Sequence, residues 1–150
     1  MSLVLDGSLG VTFPASQTPS MTAYQGGVLT SGTAVASTSG TSINFTSIPS
    51  WVKRITVMFN AVSTNGTSNP QVQIGAGSVT TSGYTSYSKE SSIPGLIYTS
   101  GYVLQSTAAV NTLIGHMTIT LVSNNLWVAS SVLAFSQSTN SYSVTSVGTR

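Results

Sequence analysis

A chain of 150 residues has room for one compact domain, or one domain and a tail, and hardly for two. Only four residues are basic and two acidic, which excludes a basic nucleic-acid arm, an acidic tail and a heptad coiled coil, each built from Lys, Arg or Glu in quantity. The net charge of +2 rests on so few groups that it describes no basic surface.

Polarity comes from hydroxyls instead. The chain holds 28 Ser and 22 Thr, a third of its length, while 40% of residues are hydrophobic. Thr and aromatic residues favour strands, Ser and Gly favour turns, and strong helix formers are scarce, so the composition predicts an all-β fold. Disordered chains combine low hydrophobicity with high charge, and this chain has neither. Cysteine is absent, which removes disulfides and thiolate metal sites. The opening Met1-Ser2-Leu3-Val4-Leu5-Asp6 has no basic or long apolar region of the secretory type. The longest apolar run, Leu126 to Phe135, is interrupted by Ser130 and Ser131 and is about half of a bilayer span. These features predict a soluble protein made in a cytoplasm.

Residues 1–26 form a first region, with Pro14, Pro19 and three glycines around short apolar pieces. Such a stretch builds no core of its own and reads either as an extended arm that orders by docking or as a frayed terminus. Residues 27–150 read as an antiparallel β-sandwich or jelly-roll-like domain. Weak strands are expected at 33–37 and 41–48. The clearest strand is 53–62, where Ile55, Val57, Phe59 and Ala61 alternate with Arg54, Thr56, Met58 and Asn60. Val72, Ile74 and Ala76 alternate after a loop holding Asn65-Gly66, and the two segments are expected to pair as a hairpin. Further weak strands are expected at 96–104 and 142–147.

The sharpest turn signal is Ser123-Asn124-Asn125, between a strand carrying Met117, Ile119 and Leu121 and a second from Leu126 to Phe135. That second strand is apolar on both faces, with Leu126, Val128, Val132 and Ala134 on one and Trp127, Ala129, Leu133 and Phe135 on the other. A strand of this kind requires a covering layer or a neighbouring subunit, so Trp127, Leu133 and Phe135 are expected to be buried, and they are the candidate subunit-interface residues.

Chemistry based on ionisable groups has little to draw on. The carboxylates are Asp6 and Glu90, and His116 is the single imidazole, so no catalytic, metal or cofactor-binding residues are assigned and no cofactor is expected. There is no Gly-x-Ser-x-Gly elbow to support a triad through His116, which reads as a surface or interface histidine. Gly75-Ala76-Gly77 lacks the third glycine of a dinucleotide loop. Lys53-Arg54 follows Trp51 and reads as solvated charge at the start of a strand, or as a stack on the indole. Tyr84, Tyr87, Tyr98 and Tyr102, spread among Ser, Thr and Gly, have the composition of an adaptable recognition surface and are candidate contacts to a receptor or partner, or alternatively packing residues.

The run from Ile48-Pro49-Ser50-Trp51-Val52-Lys53-Arg54 to Val57, followed by Val62-Ser63-Thr64-Asn65-Gly66-Thr67-Ser68, resembles a β-rich domain of tail-fibre and other virion structural proteins of tailed bacteriophages. Ser2 to Pro14 is similar to the short leader found before such domains. The resemblance covers about the first 75 residues. It implies a non-enzymatic part of a phage particle, made in the host bacterial cytoplasm and located in the virion, as a homotrimer with neither nucleic-acid binding nor membrane insertion. Leu3, Leu5, Val11 and Phe13 of the arm are then the candidate attachment residues to other virion proteins, and a host cell-surface glycan is a further candidate partner. Domains of this kind continue with strands beyond 142–147, so a neighbouring subunit or further chain is expected to complete the sheet. A head-fibre or capsid-decorating role and a carbohydrate-binding sandwich module, with Tyr84, Tyr98 or Tyr102 stacked on sugar rings, are the alternatives.

Overall fold

The computed structural model describes residues 4–6, 10–12, 29–38, 40–106, 109–137 and 140–150. Every regular element among them is a strand, so the chain is all-β. It divides into two compact units, Met1–Val35 with Phe45–Trp51, and Ala36–Asn44 with Val52–Arg150.

In the first unit, β1 (Val4–Asp6) and β2 (Gly10–Thr12) pair antiparallel, with Leu5 and Val11 as register partners. Leu3 and Phe13 lie outside the described residues. Residues 45–51 carry no strand and are exposed, and Ser47 takes a φ of 61°.

The second unit is built on a six-stranded antiparallel sheet. Its strands are β3 (Arg54–Val62), β5 (Thr85–Glu90), β6 (Leu96–Tyr98), β8 (Thr112–Ser123), β9 (Leu126–Gln137) and β10 (Asn140–Thr149), in the order β3-β8-β9-β10-β5-β6. A separate ribbon pairs β4 (Gln71–Val72) with β7 (Tyr102–Val103). The hairpin at Asn124-Asn125 joins β8 to β9, and Asn124 supplies the turn's positive φ of 45°, a conformation its short polar side chain tolerates.

The core lies against one face of this sheet. Leu113, Met117 and Ile119 of β8 and Ala129, Leu133 and Phe135 of β9 are buried with Tyr84, Tyr102 and Leu104. Ile55, Val57 and Phe59 of β3 and Val72 and Ile74 pack around them. Each large apolar side chain buried here contributes about 1.5–3 kcal/mol. The Leu104 N–H donates to the Pro70 carbonyl at 2.9 Å, which holds the ribbon segment over the sheet.

Several sequence expectations change. The segments 33–37 and 41–48 form no strand and are almost wholly exposed, because their apolar residues are too sparse to define a buried face. β3 does not pair with the 71–76 segment. It pairs with β8, from Arg54 opposite Thr120 to Val62 opposite Leu113. The expected hairpin fails because β8 offers a long apolar alternation in register with β3, whereas the segment after Asn65-Gly66 contributes only the two residues of β4. A bulge between Phe59 and Val62, with Ala61 at a φ of 53°, shifts the phase of β3, so that Val62 turns toward the core and Ala61 toward solvent. The expected strand at 96–104 splits into β6 and β7, which belong to different sheets.

The run Thr85–Glu90, not among the strands expected from sequence, is strand β5, and its alternation is inverted: Ser86, Ser88 and Glu90 are buried while Thr85, Tyr87 and Lys89 are exposed. The buried serines keep their hydrogen bonds. Ser86 Oγ donates to the Gly101 carbonyl at 2.7 Å, and Ser88 Oγ accepts from the Gln105 N–H at 2.9 Å, tying β5 to the segment around β7. β10 is not an open edge either, since it pairs with β9 on one side and β5 on the other, so the sheet edges are β3 and β6.

Gly115 sits within β8 at a φ of 143°, and a Cβ there would lie 2.4 Å from the Val132 carbonyl oxygen of the paired strand. Only the absence of a side chain allows β8 and β9 to approach so closely. Replacement by alanine is expected to lower stability by roughly 1–3 kcal/mol, the usual range for forced overpacking. Gly66→Ala, at a site with nothing within 4 Å of the added Cβ, should change it little. Urea midpoints of the two variants compared with the parent chain measure the difference.

Candidate interaction surface

The tyrosines singled out by composition separate into two groups. Tyr84 and Tyr102 are 2% and 1% exposed and meet edge to face, with ring centroids 5.1 Å apart. The Tyr84 hydroxyl accepts from the Ile74 N–H at 2.9 Å and donates to the Ile74 or Thr80 carbonyl, at 3.2 and 3.1 Å. It thereby closes the loop between β4 and β5. Tyr102 donates to the Trp127 carbonyl at 3.1 Å, which links the ribbon to β9. Buried and engaged in this way, Tyr84 and Tyr102 present no ring to a sugar or receptor. Tyr98 is half-buried and its hydroxyl accepts from Asn69 Nδ2 at 3.3 Å, while Tyr87 is exposed.

Arg150 is a contributor that sequence reading missed. Its backbone exchanges two hydrogen bonds with Trp127, at 2.7 and 2.9 Å. Its guanidinium lies 5.9 Å from the Tyr84 ring centre and donates to Thr80 Oγ1 at 2.6 Å. No local pattern announces this, because its partners lie far away in sequence. Lys53 and Arg54 are exposed, as expected of solvated charges where β3 starts.

Of the candidate interface residues, Leu133 and Phe135 are buried in the chain's own core and Trp127 is half-buried against it. The covering layer they require is supplied within the chain, by Tyr84, Tyr102 and Leu104. Among the described residues of the second unit, none covers the opposite face of the sheet. There Thr56, Thr118 and Ser130 form one row across β3, β8 and β9, and Met58, His116 and Val132 form the next. Tyr87 and Ile97 are register partners on the far side, and with Thr85, Val128 and Thr149 they border an open depression of about 430 Å³.

The ionisable groups do not converge. Glu90 is buried on the core side, where its carboxylate accepts a hydrogen bond from Ser92 Oγ, and His116 lies on the open side of the same sheet, on β8, with β9 and β10 between it and β5. The sheet itself therefore stands between them. No group of three or more His, Cys, Asp or Glu side chains that could hold a metal ion is present among the described residues. Two buried side-chain oxygens, Gln105 Oε1 and Asn111 Oδ1, have no hydrogen-bond partner among the described residues.

Comparison with protein-family models, with curated proteins and with solved structures gives no match for this chain.

Burial pushes the Tyr102 hydroxyl up to about 12 from its ordinary 10.0, with Tyr84 adding to the effect and Arg150 opposing it. A phenol whose folded pKa is raised contributes stability that is intact below the unfolded value and is lost as pH rises through the folded one. Stability should therefore fall between about pH 10 and about pH 12. Tyr102→Phe, which removes the titrating group along with a hydrogen bond of about 1 kcal/mol, should start lower and show a shallower decline. Urea midpoints measured across that pH range check both statements.

Proposed function

We propose that this chain is a non-enzymatic structural component of a tailed-phage virion, a tail fibre or tail appendage that attaches through residues 1–26 and projects its β domain, as a homotrimer, toward the host. The observation that carries this reading is the sheet of the second unit. It has apolar side chains on both faces, and the described residues of that unit cover one of them only. An uncovered apolar face of this kind is what an assembling part offers to its neighbours.

Three further observations support the same reading. The resemblance of residues 2–14 and 48–68 to virion structural proteins agrees with an all-β fold. Glu90 and His116, on opposite sides of a sheet, offer no shared cleft for acid–base chemistry. Burial of Tyr84 and Tyr102 removes two of the three rings, Tyr98 being the third, on which a sugar-binding module would stack a sugar.

The test is location. Particles purified by density gradient from the bacterium that makes this chain are expected to contain it at a fixed stoichiometry, and a particle reconstruction is expected to place it on the tail. Density for the chain on capsid faces or vertices would replace the tail assignment with head decoration. Its absence from particles would overturn the reading altogether.

A further inference from the structure

We infer that Asn65, in the loop between β3 and β4, is a site of spontaneous covalent modification: the Gly66 backbone nitrogen attacks its side-chain amide, which is lost and leaves aspartate and isoaspartate. The inference uses the second unit alone and does not depend on what the chain assembles with.

The reaction is an acyl transfer between two adjacent residues. The Gly66 nitrogen gives up its proton to base and bonds to Asn65 Cγ, and the C–N bond of the side-chain amide breaks, its nitrogen leaving as ammonia. The product is a five-membered cyclic imide. Water then adds to one of the two ring carbonyls. Cleavage of the bond from Cγ restores the ordinary chain as aspartate, and cleavage of the bond from the Asn65 backbone carbonyl leaves isoaspartate, in which the main chain runs through the side chain. Amide and water are consumed, carboxylate and ammonia are formed, and no cofactor or second protein takes part.

Ring closure turns Asn65 Cγ and the Gly66 nitrogen toward each other, a rotation that a strand ladder or a Cβ on the second residue would resist. Of the chain's eight asparagines, Asn65 alone is followed by glycine. It is exposed and outside the strands, and neither its side chain nor the Gly66 N–H makes a hydrogen bond among the described residues. Thr64 Oγ1 donates to the Gly66 carbonyl at 3.1 Å, on the far side of the glycine from the attacking nitrogen. Nothing lies within 4 Å of where a Gly66 Cβ would stand, so the loop has room to turn. Other asparagines are held back: Asn60 is within β3, Asn69 precedes Pro70, whose nitrogen has no proton to lose, and Asn111 is 4% exposed. The chain has four basic and two acidic residues, so a third carboxylate takes its net charge from +2 to +1. Isoaspartate also adds a carbon to the main chain of a loop whose flanks, Val62 and Val72, pack against the core.

Peptide mass spectrometry of the folded full chain, incubated in mildly alkaline buffer and sampled over time, tests this. The tryptic peptide from Ile55 to Lys89 is expected to exchange one NH for one oxygen at Asn65, while Asn60 and Asn69 in the same peptide keep their amides. Electron-transfer fragmentation should show isoaspartate beside aspartate, and cation exchange should show the lost positive charge. The rate should rise with pH, because the deprotonated nitrogen is the attacking form. Gly66→Ala, which the loop has space to accept, should slow conversion on the order of tenfold, or about 1.4 kcal/mol of barrier. Asn65→Gln, which would have to close a six-membered ring, should end it over the same period. A free peptide covering residues 61–69 sets the rate of the unhindered reaction. Retention of the Asn65 amide in the folded chain until that peptide has converted would overturn the inference. So would conversion of Gly66→Ala at the parent's rate, or equal conversion at Asn60.

Discussion

The register of β8 against β9 is the constraint on which the rest of the second unit depends. Successive side chains of a strand point to opposite faces, so a slip of one residue would exchange the buried set for the exposed set. The Asn124-Asn125 turn sets that register, and Gly115 admits the close approach of the two strands farther along. With it set, Leu113, Met117, Ile119, Leu133 and Phe135 fall on the core side, and Ile114, His116 and Val132 fall on the open side. β3 then adds to one edge of this pair and β10 to the other.

Hydroxyl groups do here what charged residues do in most proteins of this size. Ser86 and Ser88 are buried without penalty because each hydroxyl meets a backbone group of the neighbouring segment. Tyr84 and Tyr102 combine two roles, filling the core with their rings while their hydroxyls secure the loop before β5 and the start of β9. A carboxylate or ammonium in such positions would need a partner of opposite charge, and the chain has almost none to give.

The same economy shapes the functional reading. A part that works by holding its shape and meeting its neighbours needs backbone ladders, a packed layer and a surface to offer, and none of these requires ionisable clusters. In the proposed function, the face that the described residues of the second unit leave open is the surface on offer. Its apolar and hydroxyl rows would be a liability on an isolated soluble chain and an advantage on one that is covered by its neighbours.

How much of this was legible in the sequence follows from the range of each interaction. The all-β class, the β8–β9 hairpin and the two-sided apolar character of β9 are local properties, set by composition, a turn and a period of two, and the sequence by itself determined them. The partner of β3, the burial of Ser86, Ser88 and Glu90, the inward placement of Tyr84 and Tyr102 and the anchoring by Arg150 join residues far apart along the chain, and only the tertiary structure decided them. β5 shows the reason most clearly. Its serines alternate with Thr, Tyr and Lys, so local hydropathy points the wrong side inward, and the inversion holds because hydrogen-bond partners arrive from Gly101 and Gln105. The same limit applies to β9, since two apolar faces can be read from its residues, but which one the chain covers depends on where Tyr102 and Leu104 come to lie.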